Sequence, residues 1–568
     1  MKKLSKLLFI LIVFFASFVQ KVKTQNNAII HANQLGYYPI SVKKAIVAES
    51  KDSTFEIKDA DGKSVFRGVL SKSTFYDKSG ENIRIADFTD FTEHGSFTLS
   101  VSDAKESFKF EIKPNIYKEA SIAVLKNFYY QRSGINIEEK YAGQWKRQLG
   151  HPDALCYFHP SSQRGKGTMP SPKGWYDAGD YNKYVVNAGV SIGTILNFYE
   201  MYPSFFKDGS TNIPESGNGI SDLLDEIKYE LDWILTMQMA DGASNMKITS
   251  KNFCGFIMPI DDTTSRFVVG KSTAPTLNLS AVSAQASRLY KTVDPEFAAK
   301  CLTASEKAWK WAVKNPKVAY KNPEDITTGE YGDNNFTEEF WWAASELYVT
   351  TRKTEYLNYL LKNEPYANMF AGNNWNSFVG NLGSFSILLS DSSLSKDLKL
   401  KISQKMIDLA DVLLAKLESN PYRTFLDDYQ WGSSSDVQNS AIIFAYAFVL
   451  SNQMKYINAV VESMDYIFGK NATGYSFVSG FGNKTPKNIH HRPSAADKID
   501  EPIPGFVVGG PNSGRQDEGN GVVYDSKLPA KSYLDIEGSY ASNEVAINWN
   551  APAVFILGFL EANAEKMK

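Results

Sequence analysis

The chain has 568 residues, a net charge of −2 and 43% hydrophobic residues. That length exceeds one ordinary core and predicts two or more domains, and the composition excludes a largely disordered chain. The near-neutral balance, with no concentrated basic face, argues against nucleic acid or an anionic membrane as a partner.

The first residues, "MKKLSKLLFILIVFFASFVQ", have the form of a secretory leader: Lys2, Lys3 and Lys6 precede a short apolar run from Leu7 to Phe15. The run is too short for a membrane span. Residues 1–25 are therefore expected to be removed, leaving a secreted or periplasmic protein with no membrane association. Cys156, Cys254 and Cys301 are the only cysteines, which gives neither a disulfide framework nor a paired zinc motif.

Residues 26–114 read as short alternating runs. "FEIKDADGKSVFRGVL" has the form strand, Asp-Gly turn, strand, and "GSFTLSVSDAKESFKFEI" repeats it. About seven such runs predict a small antiparallel sandwich of immunoglobulin type without a cysteine pair.

From residue 115 to 568 the period changes. "SDLLDEIKYELDWILTMQ" places Leu224, Ile227, Leu231 and Ile234 on one helical face, with Ser221 as the expected cap. "LNLSAVSAQASRLYK", "EEFWWAASELYVTT", "MIDLADVLLAKLE" and "NSAIIFAYAFVLSN" read as further helices, joined by long loops. Strand signals are few. Repeated helices with large loops predict a helical barrel or toroid whose site is built on loops at one end.

The stretch "PKGWYDAGDYNKYVVNAG" crowds Asp177 and Asp180 onto one turn, flanked by Trp175, Tyr176, Tyr181 and Tyr184. Two converging carboxylates can fix a water and take its proton, or hold a hard cation; ordinary turn chemistry is the plainer reading. Near the C-terminus, Glu544 stands among Val545, Ile547 and Trp549, an apolar setting that favours the protonated form. By itself a glutamate such as Glu544 is more often an ordinary helix-start acid. Together the two clusters have the composition of a paired-carboxylate site for splitting an acetal. His490, His491 and Arg492, in a Gly-rich loop, suit sugar hydroxyls or phosphate, although no phosphate-binding loop accompanies them.

These stretches resemble glycoside hydrolase family 9, which contains many cellulases. "GWYDAGDYNKYV" is similar to its catalytic-aspartate motif, "SFVSGFGNKTPKNIHHR" to its histidine signature and "YLDIEGSYASNEVAINWNA" to its Asp/Glu signature. "TGEYGDNNFTEEFWWAASELY", "YQWGSSSDVQNSA" and "PGFVVGGPNSGRQD" also resemble the family, and "IIHANQLGYYP" resembles the immunoglobulin-like module that precedes many of its catalytic domains. The resemblance implies an (α/α)6 barrel after the sandwich, acting as an inverting endo-β-1,4-glucanase. It implies that Asp180 is the general base, Asp177 a holder of the same water and Glu544 the general acid. It places Tyr540 beside the cleaved sugar and His490 and Arg492 on its hydroxyls; Trp431 and Tyr331 are stacking residues or core. A monomer acting on a β-glucan polysaccharide or oligosaccharide is expected. Rivals on the same fold are an exo-acting cellodextrinase and hydrolases of mixed-linkage glucan, xyloglucan or glucosamine oligomers; a rival of another class is a non-catalytic carbohydrate-binding protein, against which the intact acids argue.

No cofactor is required for this chemistry. Structural calcium is compatible with the resemblance. Zinc is disfavoured: Ser133 stands where a first cysteine ligand is expected, and His151, Cys156 and His159 lack the usual spacing.

Overall fold

The computed structural model describes residues 28–363, 379–390 and 396–568; the leader at residues 1–25 lies outside the described residues. Eight strands open it: β1 (Ile29–His31), β2 (Lys44–Ala48), β3 (Thr54–Lys58), β4 (Ser64–Val69), β5 (Thr74–Tyr76), β6 (Glu81–Asp87), β7 (Gly95–Ser100) and β8 (Phe108–Ile112). They form two four-stranded antiparallel sheets, ordered β1-β2-β6-β5 and β4-β3-β7-β8. This is the expected sandwich, with one strand more than the alternation indicates. The strand-turn-strand stretch folds as β3 and β4, and Gly62 takes the left-handed turn conformation at φ 80°.

In β2 the period of two serves both faces. Ala45 and Val47 enter the sandwich core, while Ile46 and Ala48 join the core of the helical part. Polar contacts reinforce that seam. Asn33 Nδ2 donates to the Tyr117 hydroxyl (2.6 Å) and to Asp465 Oδ1 (2.8 Å). Glu81 accepts from Tyr422 (2.8 Å) and Lys531 (2.6 Å).

Among the described residues twelve helices have nine or more residues: α1 (Lys118–Tyr130), α2 (Val185–Met201), α3 (Asp222–Thr236), α4 (Thr273–Leu289), α5 (Pro295–Lys314), α6 (Thr337–Thr351), α7 (Thr354–Lys362), α8 (Gly380–Leu389), α9 (Lys396–Ser419), α10 (Ser433–Ser451), α11 (Met454–Ile467) and α12 (Ile547–Ala562). They alternate between outside and inside. The even-numbered helices form an inner ring: α2 packs on α4, α4 on α6, α6 on α8, α10 on α12 and α12 back on α2. Phe385 of α8 stacks on Tyr446 of α10 with centroids 4.1 Å apart, closing the ring. This is an (α/α)6 barrel. Inner helices such as α12 are buried nearly all round, whereas the outer helix α9 buries one stripe, Leu398, Ile402, Met406, Ala410, Leu413 and Leu417; in α3 the expected face of Leu224, Ile227, Leu231 and Ile234 is buried along with much of the rest of the helix.

Two sequence expectations need correction. Ser221 does sit at the cap of α3, but its hydroxyl donates to the Phe206 carbonyl instead of accepting from the helix. The barrel region also carries a five-stranded sheet, ordered β10-β9-β13-β12-β11, which the scarcity of strand signals concealed. Its strands are β9 (Cys156–Phe158), β10 (Thr168–Met169), β11 (Lys183–Tyr184), β12 (Lys247–Thr249) and β13 (Arg266–Val269). They are too short to show a period, yet β11 begins three residues after Asp180.

Candidate active site

The Asp177–Asp180 turn is clamped from three directions. From the end of α1, Gln131 accepts the Tyr176 amide (2.8 Å) through its carbonyl, and its side chain donates to the Ala178 carbonyl (3.1 Å). From the histidine loop, the Arg492 amide (3.1 Å) and guanidinium (2.7 Å) both donate to the Gly179 carbonyl. From the C-terminal segment, the Ile547 amide donates to the Asp177 carbonyl (2.8 Å). The glycine between the two acids is a close-approach residue: a Cβ at 179 would lie 2.2 Å from the His490 carbonyl oxygen. His490 in turn donates its amide to the Asn543 carbonyl (3.0 Å) and pairs with Glu544 in a single parallel bridge. Three stretches remote in sequence are thereby locked into one unit.

Asp177, Asp180 and Glu544 line one cavity of about 340 Å³, together with Tyr184, Phe253, Tyr331, Trp431, Asp436 and Trp549. Asp177 Oδ1 accepts from Asn187 and Oδ2 from Tyr331, each at 2.6 Å. Asp180 Oδ2 accepts from Asn182 and from the Tyr184 hydroxyl (3.2 Å). Asn182 cannot turn around, because its carbonyl oxygen already accepts from Thr249, the Ser250 amide and Arg266. Burial, followed by the charges of Asp180 and Asp177, pushes the Glu544 carboxyl up to about 8. Burial and the charge of Asp180 also raise Asp177 well above the usual carboxylate range.

The remaining sequence candidates divide. Trp431 lines the cavity and is 43% exposed, with Tyr540 beside it at a centroid distance of 5.6 Å. Tyr540 donates its hydroxyl to the Gln516 carbonyl (2.9 Å) and faces His490 at 6.0 Å. Phe256 touches the other side of His490 at 5.2 Å, so four rings run in a row from Phe256 to Trp431. Tyr331 lines the cavity and donates its hydroxyl to Asp177. Arg492 is 7% exposed; its Nη1 donates to the Gly179 carbonyl and its Nε to the Cys254 carbonyl. His491 points away, to Gln131 and Ser494. His490 Nδ1 meets the Glu537 carbonyl at 2.6 Å and so carries the proton, and burial lowers this ring to about 4. Nε2 is thus an acceptor, where the sequence reading took the histidine as a donor.

Sequence reasoning passed over Asn182, Asn187, Phe253, Asp436 and Trp549. Asn182 stands within the aspartate motif and Asn187 just after it, two and seven residues beyond Asp180. Asp436 lies in "YQWGSSSDVQNSA" and Trp549 in the Asp/Glu signature; nothing local marks Phe253.

A family model described as "Glycosyl hydrolase family 9" matches residues 117–557, and one described as "Cellulase N-terminal ig-like domain" matches residues 25–106. The chain belongs to glycosyl hydrolase family 9. It is 42% identical to a xyloglucan-specific endo-β-1,4-glucanase of Bacteroides ovatus, over 95% of this chain and 94% of that one. It is 35% identical to endoglucanase D of Acetivibrio thermocellus, over 94% of this chain and 84% of the relative. A solved Bacteroides ovatus family 9 structure superposes with a TM-score of 0.87 at 40% identity, covering 94% of this chain and 99% of that one.

In this family 9 hydrolase the residues considered for zinc do not form a site. The Ser133 hydroxyl donates to the His151 carbonyl. The His151 ring lies between the Tyr176 hydroxyl (2.9 Å) and Asp262 (3.2 Å). Cys156 is buried, with its thiol on the Asp153 carbonyl, and His159 meets Ser161 and Asp325. Ion pairs occupy the neighbourhood instead: buried Asp153 pairs with Lys183 at 2.7 Å and with Arg266 at 3.1 Å. A hard cation fits elsewhere. Asp333, Glu338 and Glu339 bring carboxylate oxygens within 4.8 Å of one another, and both oxygens of buried Glu339 lack a hydrogen-bond partner. None of the three lines the catalytic cavity, so a cation there would neutralise buried charge and take no part in bond cleavage. Among the described residues no helix is long and apolar enough to cross a membrane.

Proposed function

We propose that this chain is a secreted, inverting endo-β-1,4-glucanase, with residues 26–114 as a supporting sandwich and 115–568 as the catalytic domain. The observation that carries the reading is the meeting, in one cavity, of a buried Glu544 held toward its protonated form with the hydrogen-bonded Asp177 and Asp180. Asp180 takes a proton from water as that water attacks the anomeric carbon. Asp177 holds the same water. Glu544 delivers its proton to the glycosidic oxygen, so the leaving sugar departs as a neutral alcohol. Such single displacement places acid and base roughly 6.5–9.5 Å apart, leaving room for the water. Trp431 and Tyr540 supply ring faces for the sugar; His490 accepts from a hydroxyl through Nε2. Arg492 acts chiefly by holding the Gly179 carbonyl, with any sugar contact secondary.

A β-1,4-linked glucose backbone is the proposed substrate, cut internally. The likeness to a xyloglucan-specific relative over 95% of the chain favours a second reading, in which the decorated glucan is preferred to plain cellulose. Initial rates and product sizes on xyloglucan, mixed-linkage glucan and carboxymethyl cellulose test both readings. Mixed oligosaccharides from the start of reaction support endo cleavage; release of a single short product from one chain end overturns it. Proton NMR of fresh product must show the α-anomer first. An initial β-anomer would mean a covalent intermediate and would remove the water-holding role of the two aspartates.

A further inference from the structure

Lys247 is the first residue of β12 and is wholly buried, yet among the described residues no carboxylate lies within ion-pairing distance of its ammonium. Burying an unpaired charge is costly, and side chains of this kind are retained where their charge or donors act on something nearby. The surroundings identify that target. In the β11–β12 register Lys247 lies opposite Tyr184, whose hydroxyl donates to Asp180, and its Nζ stands 5.4 Å from the centre of the Tyr184 ring. Nζ donates to the Gly329 carbonyl (2.6 Å), the Thr328 hydroxyl (3.2 Å) and Asn322 Oδ1 (2.9 Å). Residues 328 and 329 lead directly into Tyr331, which donates to Asp177. Two positions along the same strand, Thr249 binds both Asn182, the second partner of Asp180, and Thr328.

We propose that Lys247 is a positioning residue for the hydrolytic pair: its three donors fasten the loop that carries Tyr331 to the strand that faces Tyr184, and its charge favours the ionised base. The charged groups that face it are Asp180 and Asp177 from the catalytic turn and Glu330 from the loop; Tyr184 and Tyr320 cover it with their rings. Burial pulls the ammonium down to about 7, and the charges of Asp180, Glu330 and Asp177 hold it up, in that order. The coupling is mutual, so removing the positive charge makes the base easier to protonate. This inference rests on the reading of Asp180 as the base.

The test uses purified full-length enzyme and whichever soluble β-glucan the wild type cleaves fastest, with Lys247→Met, Lys247→Gln and Lys247→Arg. K247M is expected to lower kcat about tenfold or more, to leave KM within about threefold and to move the acid limb of the kcat/KM profile up by about half a pH unit or more. K247Q keeps a donor without the charge. It is expected to recover part of kcat but to show the same displaced limb. K247R keeps the charge, and its limb is expected to lie where the wild-type limb lies. An unmoved acid limb in folded K247M and K247Q, with Asp180→Ala inactive, overturns the role of Lys247 alone. Substantial activity in Asp180→Ala overturns the reading of the base instead. Failure of both neutral variants to fold would make Lys247 a folding residue and also reject the proposal.

Discussion

The hydroxyl of Tyr331 donates to Oδ2 of Asp177 at 2.6 Å, across 154 positions of sequence. With Asn187 on the other oxygen, the carboxylate is held from both sides and its plane is fixed. Tyr331→Phe removes one donor and little volume. Burial favours the neutral form of Asp177, and a neutral hydrogen bond is worth about 0.5–1.5 kcal/mol net, so kcat is expected to fall about 2–10-fold. The melting temperature should barely move. Steady-state kinetics beside a thermal melt decide the matter: a variant with near-wild-type kcat would show that Asp177 needs no help from this loop.

Asp180→Ala is expected to remove nearly all turnover. General-base catalysis contributes about 10²–10⁴-fold, and nothing else in the cavity stands in the same hydrogen-bonded position. Oligosaccharide affinity, measured by calorimetry, should remain, because Trp431 and Tyr540 are untouched. More than about a tenth of the wild-type rate would be incompatible with general-base catalysis by Asp180.

The parts of the site legible in the sequence were those packed into short motifs. Asp177 and Asp180 share one turn, and Glu544 lies within a dense C-terminal signature. Outer helices such as α3 declared themselves through their period, and inner ones such as α10 through long apolar runs. What escaped depended on contacts between remote segments. Tyr331 reads as a candidate for stacking, and its hydrogen bond to Asp177 shows only once the barrel closes and brings the two together. Lys247 carries no mark in the sequence, and it is buried in β12, which pairs between β11 and β13. Strands of two to four residues carry too few side chains for alternation to show. Arg492, expected on sugar hydroxyls, directs Nη1 to the Gly179 carbonyl and Nε to the Cys254 carbonyl, contacts that no local pattern announces.

Calcium is expected to raise the melting temperature without changing the mechanism. Burial, then the charge of Asp333, raises the Glu339 carboxyl well above its ordinary range, so a bound cation would relieve a real cost. Glu339→Gln should be at least as stable as the wild type in chelator and should lose most of the response to added calcium. Differential scanning calorimetry with and without calcium compares the two. Equal calcium responses would exclude the Asp333–Glu338–Glu339 group as the site. A zinc-selective chelator should leave both proteins unchanged, since the Ser133, His151, Cys156 and His159 donors are occupied by protein partners.

As the proposed acid, Glu544 would join activity to stability through one proton. The acid must be protonated to work, so kcat/KM is expected to fall on the alkaline side near the value of about 8 to which burial pushes this carboxyl. Glu544→Gln should abolish cleavage of natural glucan while sparing aryl glycosides whose leaving groups need little protonation. The stability effect has a definite sign. The folded carboxyl holds its proton up to about 8, whereas the unfolded one releases it near 4.5. Between these values the native state binds more protons, so this residue's contribution falls as pH rises. Glutamine has no proton to lose. The melting temperature of the variant, relative to the wild type, should therefore climb steadily from about pH 4.5 to about pH 8 and level off beyond. Paired melts across that window measure the difference directly, and a flat difference would mean that Glu544 is ionised in the resting enzyme and cannot be the acid.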